Sequence, residues 1–145
     1  MTGKIFPTAQ DAENAFYEAL ERADLEGMMA VWAEDEDIVC VHPGGPRLTG
    51  QDQVREGWAR IFAAGGRSHR VHISQQVAIS AMMLAVHSVH ENLTVEGEAQ
   101  ARPPIVATNV YLRTAAGWRM IVHHASPGAV PPAPVRREPV PKFLH

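Results

Sequence analysis

Cysteine is almost missing from this chain: Cys40 stands alone, so there is no intrachain disulfide and no zinc-thiolate cluster. Long apolar runs are missing too. Nothing approaches the roughly 20 residues that span a bilayer, and the opening MTGKIFPTAQ lacks the apolar core of a secretory signal. A soluble, reducing, cytoplasmic setting is therefore the expectation, with no membrane partner. Neither sign of charge dominates. With 13 basic and 16 acidic residues, net -3, and the basic ones scattered, the electrostatic footprint of a nucleic-acid binder is absent. The sequence also has no HExxH run, no glycine-rich phosphate cradle at a helix start and no serine elbow, so no cofactor is expected. Eight histidines invite a metal reading. His69 and His72 would point to opposite faces of a strand, however, and only a cross-strand cluster of His42, His87, His123 and Glu91 has suitable residue types; no metal is expected.

What remains is ordinary globular material, 145 residues with 46% hydrophobic and 20% charged, enough for one domain with one core. Thr8 reads as an N-cap, and Ala12, Ala15, Phe16, Ala19, Leu20 and Ala23 follow at helical spacing. Asp24 offers a second cap before Leu25, Met28, Val31 and Trp32. The β-branched stretch Ile38 to His42 reads as a short strand stopped by Pro43-Gly44-Gly45-Pro46, and from Gln51 the helical period returns with Val54, Trp58, Ile61 and Phe62. From His69 to Ser126 four long strands follow, separated by short turns, which predicts an antiparallel meander. From Pro127 onward the chain holds six of the eleven prolines, which predicts an extended tail over 129–145 after a domain of residues 1–128. Three helices ahead of a long antiparallel meander predict an α+β fold in which the helices cover one face of a curved sheet.

The segments DLEGMMAVWAEDEDIVCVHPGG, LTGQDQVREGWARIF and ATNVYLRTAAGWRMIVHHASP, in this order, resemble the SnoaL-like branch of the nuclear transport factor 2-like superfamily, also called cystatin-like or ketosteroid-isomerase-like. The likeness covers about residues 8 to 128. It extends to the association domain of calcium/calmodulin-dependent protein kinase II. The resemblance implies a cone-shaped fold whose open end is a pocket, on which isomerases, dehydratases, cyclases and pure assembly modules all occur. In the ketosteroid isomerases the general base precedes a proline at the end of the first strand, a place held here by His42. The oxyanion donor's place is held by Asn109, whose amide can also donate. The tyrosine donor's place falls on Phe16, with Tyr17 next to it about 100° around the helix. That triad is incomplete, so steroid isomerisation is not expected.

Period-two alternation sorts the remaining strand residues. An inward Asn109 brings Ala107, Tyr111 and Arg113 with it, and the kinase association domain's ligand-contacting arginine, at the position matching Asn109, favours His123 rather than His124 as the inward histidine. Arg119 shares the face of His123 in this reading. On the strand before, His87 and Glu91 fall in the apolar, inward set. The candidate catalytic constellation is therefore His42, Glu91, Asn109 and His123, with Tyr17, Trp32, Trp58, His87 and Tyr111 as ligand-binding walls. A histidine beside a carboxylate suits proton transfer near neutral pH. The duller readings stay open: His42 can cap its strand end, Glu91 with His87 or His123 can be a structural pair, and the tryptophans can be plain core. Two functions compete, an acid-base enzyme acting on a small carbonyl or hydroxyl compound and a non-catalytic ligand-binding or assembly module. In either case the partners expected are a small molecule in the cone and a second copy of the chain against the outer sheet face.

Overall fold

The computed structural model describes residues 4–65, 69–98 and 102–129. Helix α1 (Ala9–Arg22) starts where Thr8 accepts the amide N–H of Asp11 at 3.0 Å and stops at Ala23, whose left-handed backbone (φ 52°) turns the chain. Asp24 at once caps the short α2 (Leu25–Met29). The chain then runs through β1 (Val39–Val41), turns at Gly44 with φ 73°, and returns as β2 (Arg47–Thr49) into α3 (Gly50–Gly65). The meander follows as β3 (His69–Ser80), β4 (Leu84–Val95), β5 (Ile105–Thr114) and β6 (Gly117–Pro127). The tail expected over 129–145 lies, from residue 130 onward, outside the described residues.

The sheet order is β2-β1-β6-β5-β4-β3. The four long strands pair antiparallel, as their short turns require, but β1 joins β6 in parallel and β2 closes the far edge. The sequence reading had no β2: its three residues, RLT, carry too little pattern to separate from a turn. Phe16, Trp32, Trp58, Tyr111, Met28 and Met120 fill the space between the helices and the inner sheet face. Each of these large apolar side chains contributes roughly 1.5–3 kcal/mol by leaving water.

Bulges interrupt the ladder in two places, and both re-aim side chains. In β3 the pairing jumps between Ser74 and Val77, where Gln75 takes φ 54°. In β6 Ile121 is extra: Val110 pairs with Val122 but Tyr111 with Met120. The inserted residue reverses the parity of everything before it, so Met120 is wholly buried opposite Tyr111, and Arg119 falls opposite Leu112. This corrects the expectation that Arg119 shares the inner face with His123. Its guanidinium instead stacks 4.9 Å from the ring centroid of Phe6 and donates to the carbonyl of Lys4, tying down the N-terminal segment.

Candidate active site

Strand β4 alternates cleanly, with Ala85, His87, Val89 and Glu91 buried, and β5 does the same with Ala107, Asn109 and Tyr111. Helix α1 lays Glu13 and Tyr17, one turn apart, across these strands. Two polar layers result. In the upper layer Tyr17 donates its hydroxyl to Glu91 Oε2 at 2.6 Å, and Asn109 Nδ2 donates to the Tyr17 oxygen at 2.9 Å. Asn109 Oδ1 in turn lies 2.6 Å from His123 Nδ1. In the lower layer Glu13 pairs with His87 Nδ1, and Gln76, an exposed residue within the β3 bulge, lies 3.3 Å from the same carboxylate oxygen.

The upper chain of bonds has one polarity. An ionised Glu91 only accepts, so Tyr17 must donate to it and must accept from the Asn109 amide; Asn109 Oδ1 then accepts from His123, whose proton sits on Nδ1. His123 Nε2 is left with its lone pair. Burial, reinforced by His42 and His124, lowers His123 from its ordinary 6.5 to about 3, so the ring is neutral at physiological pH. Burial also lifts Glu91 from 4.5 to about 7; the Tyr17 bond opposes that rise and the charge of Glu13 adds to it. Burial and the neighbouring Glu91 hold the Tyr17 phenol far above its ordinary 10, and His42 is lowered by burial.

These layers back onto a cavity of about 380 Å³. Its polar lining is His42, Glu91 and His123, and its walls are apolar, with Leu20, Trp58, Ile61, Phe62, Leu93 and Ile105 prominent. The His42 ring stands edge-on to Trp58 with centroids 4.5 Å apart and 6.4 Å from the His123 ring, and His42 Nε2 lies 3.7 Å from Cys40 Sγ. Of the residues expected at the site, His42, Glu91, His123 and Trp58 border the cavity. Tyr17 and Asn109 lie one shell behind, both hydrogen-bonded into the chain.

Trp32, His87 and Tyr111, expected as walls, do not reach the cavity. Trp32 is wholly buried beside Met120, His87 is engaged by Glu13, and Tyr111 packs at 5.1 Å against the His87 ring with its hydroxyl in no hydrogen bond of ordinary geometry. The reason is depth. Parity tells which face a side chain takes but not how far from the open end it lies. Glu13 was missed by the sequence reading, although it sits four residues before Tyr17, the spacing that puts both on one helix face. Among the described residues no group of three or more His, Cys, Asp or Glu is arranged to hold a metal ion, and no helix is long and apolar enough to cross a membrane.

Residues 10–130 match the model of the SnoaL-like domain. The chain belongs to the SnoaL-like family. Its fold is nuclear transport factor 2-like, and solved members bear this out. A Thiobacillus denitrificans chain, provisionally named as a calcium/calmodulin-dependent protein kinase type II association domain, is 44% identical, with 87% of this chain and 99% of that one covered at a TM-score of 0.80. A Streptomyces avermitilis protein, provisionally named as a dehydratase of the NTF2-like family, is 32% identical over 82% of this chain and 92% of that one, with a TM-score of 0.73. The F-box protein SKIP8 of Arabidopsis thaliana is 24% identical over 112 residues, 77% of this chain, which spans 46% of that protein's length. SnoaL-like domains of this fold commonly enclose a ligand pocket, in line with the cavity above the Glu91 layer.

Proposed function

We propose that this SnoaL-like chain is an acid-base enzyme of isomerase or dehydratase type acting on a small, largely apolar carbonyl or hydroxyl compound held in the cavity. The observation that carries the reading is the upper polar layer. A carboxyl that titrates at about 7 and an imidazole kept neutral with a free Nε2 lie at the two ends of one hydrogen-bond chain and border one apolar cavity. In this reading the ionised form of Glu91 takes a proton from the ligand and its protonated form returns one, while the neutral His123 Nε2, with His42 at the cavity wall, accepts a hydrogen bond that holds the ligand. Tyr17 and Asn109 are positioning residues. The Asn109 amide is engaged by Tyr17 and His123, so it orients the imidazole rather than an oxyanion. Cofactors have no part in this chemistry, and the likeness to a chain provisionally named as a dehydratase supports the reaction class.

The test is native mass spectrometry of the purified chain for a co-purified small molecule, followed by turnover assays on that compound with Glu91→Gln and His123→Gln variants. Loss of turnover by at least about a hundredfold in both, with binding retained, is the expected result, in line with the size of general acid-base effects. Turnover unchanged in both variants would refute the assignment.

One observation favours a second reading, a homodimeric assembly module. Val77 and Ile79 on β3 pair opposite Ser88 and Val86 of the outer sheet face and are 60% and 64% exposed, and Leu84 and Met83 beside them are also open. An apolar patch of this kind on a sheet face suits a second copy of the chain, as does the likeness to a chain provisionally named as an association domain. Solution mass at micromolar concentration tests it: a dimer supports this interface, and a monomer refutes it.

A further inference from the structure

The direction of the hydrogen bonds around the cavity restricts what can bind there. His123 spends its only N–H on Asn109 Oδ1, so Nε2 meets the cavity as an acceptor. Glu91 also lines the cavity, and with Oε2 taken by Tyr17 its Oε1 is left as a second acceptor while the carboxyl is ionised. No lysine, arginine, serine, threonine or amide side chain lies among the described residues of the lining, and the one fixed donor there, the unpartnered Trp58 Nε1–H, is buried within the wall. His42 alone can turn either way, because its tautomer depends on its contact with Cys40. A pocket with fixed acceptors and apolar walls rewards a ligand that brings the donor. A ketone or ether places its lone pairs against those of Nε2 and Oε1, and an anion meets the same lone pairs with no cation among the described lining residues to offset its charge.

We infer that the cavity selects a neutral hydroxyl compound, an apolar alcohol or phenol whose single O–H is donated to His123 Nε2 or to Glu91 Oε1, in preference to a carbonyl, ether or carboxylate of the same shape. This rests on the proposed function and narrows its substrate class from carbonyl or hydroxyl to hydroxyl. The rigidity of the selection comes from behind the wall. Tyr17 and Asn109 are each pinned on both sides, so neither Glu91 nor His123 can reverse its bond alone. The groups that face Glu91 are Glu13 and Tyr17 from α1, Cys40 from β1, Tyr111 from β5 and His123 at the end of the chain of bonds. None of them is a cation at neutral pH. Acidification changes one partner of the ligand: a protonated Glu91 can donate, which gives a carbonyl its missing bond.

The experiment compares four compounds of one skeleton, 2-indanol, 2-indanone, 2-methoxyindane and 2-aminoindane, binding to the full chain by calorimetry. At pH 8 2-indanol should bind about tenfold or more tighter than the ketone and the ether, the worth of one hydrogen bond to a charged or buried acceptor. At pH 6 the ketone should close most of that gap while the ether does not. A ketone that binds as tightly as the alcohol at pH 8 overturns the inference and leaves the proposed function standing. Tightest binding by 2-aminoindane, abolished in Glu91→Gln, also overturns it, in favour of a cation site. Failure of all four to bind counts against the cavity as a ligand site and so against the proposed function itself.

Discussion

Replacing Glu91 by glutamine should make the protein more stable at pH 8 and less active, and the size of the gain follows from its surroundings. A carboxyl raised from 4.5 to about 7 on folding is one the folded state holds poorly in its ionised form. At about 1.4 kcal/mol per pH unit this costs about 3 kcal/mol once the group is ionised in both states. The folded state binds the extra proton between pH 4.5 and about 7, so this contribution falls as pH rises through that window and is flat above it. His123 acts in the opposite sense. Lowered from 6.5 to about 3, it binds its proton only in the unfolded state across that interval, so its contribution rises with pH up to about 6.5. The two slopes largely offset each other in the wild-type profile, and only the difference between variant and wild type isolates Glu91. Glutamine keeps an oxygen to accept from Tyr17 and carries no charge. Denaturant unfolding at pH 8 should therefore show Glu91→Gln stabilised by about 1–3 kcal/mol, and at pH 4.5 a difference near zero. Equal destabilisation at both pH values would show that the carboxylate is a satisfied structural partner, and would refute the argument that its charge is strained.

Other consequences of the same geometry are open to measurement. Nitrogen-15 NMR of the His123 ring should show the Nδ1–H tautomer, still neutral at pH 5, and Asn109→Leu should release that tautomer and destabilise the fold by about 2–4 kcal/mol through the two partners it strands. A ring that protonates near 6.5 would contradict the burial argument. Cys40, wholly buried with its thiol pushed up to about 12, should resist iodoacetamide at pH 8 until the protein unfolds. Gly117→Ala should cost about 2 kcal/mol or more in chemical denaturation, because that residue has φ 90° and an added Cβ would sit 2.8 Å from the Phe6 carbonyl oxygen. A neutral result there would mean that the N-terminal segment yields easily.

Much of the fold was legible in the chain itself. The Thr8 and Asp24 caps, the helical stripe of α3 and the four long strands follow from local chemistry and local period, and the structure has them where the spacing puts them. The inward set of β4 and β5 was legible for the same reason, since alternation needs no knowledge of a partner strand. Helical spacing could also have found Glu13. A carboxylate on an otherwise apolar stripe is the signal, and it becomes readable once the inward His87 supplies a reason to bury it.

What tertiary structure alone decided is everything that depends on a distant partner. Residues 74 positions apart join Tyr17 to Glu91 and Glu13 to His87, and 92 separate Tyr17 from Asn109, so no local pattern encodes those bonds or their direction. The parallel seat of β1 beside β6 is set by packing at the cone's edge, and the extra Ile121 reverses a parity that the sequence alone would have continued. Depth is of the same kind. Asn109 and His123 are opposite neighbours on adjacent strands, yet only His123 borders the cavity, because α1 brings Tyr17 down over the amide and leaves the imidazole open. Period specifies a face; only the packed helix decides which groups on that face can meet a ligand.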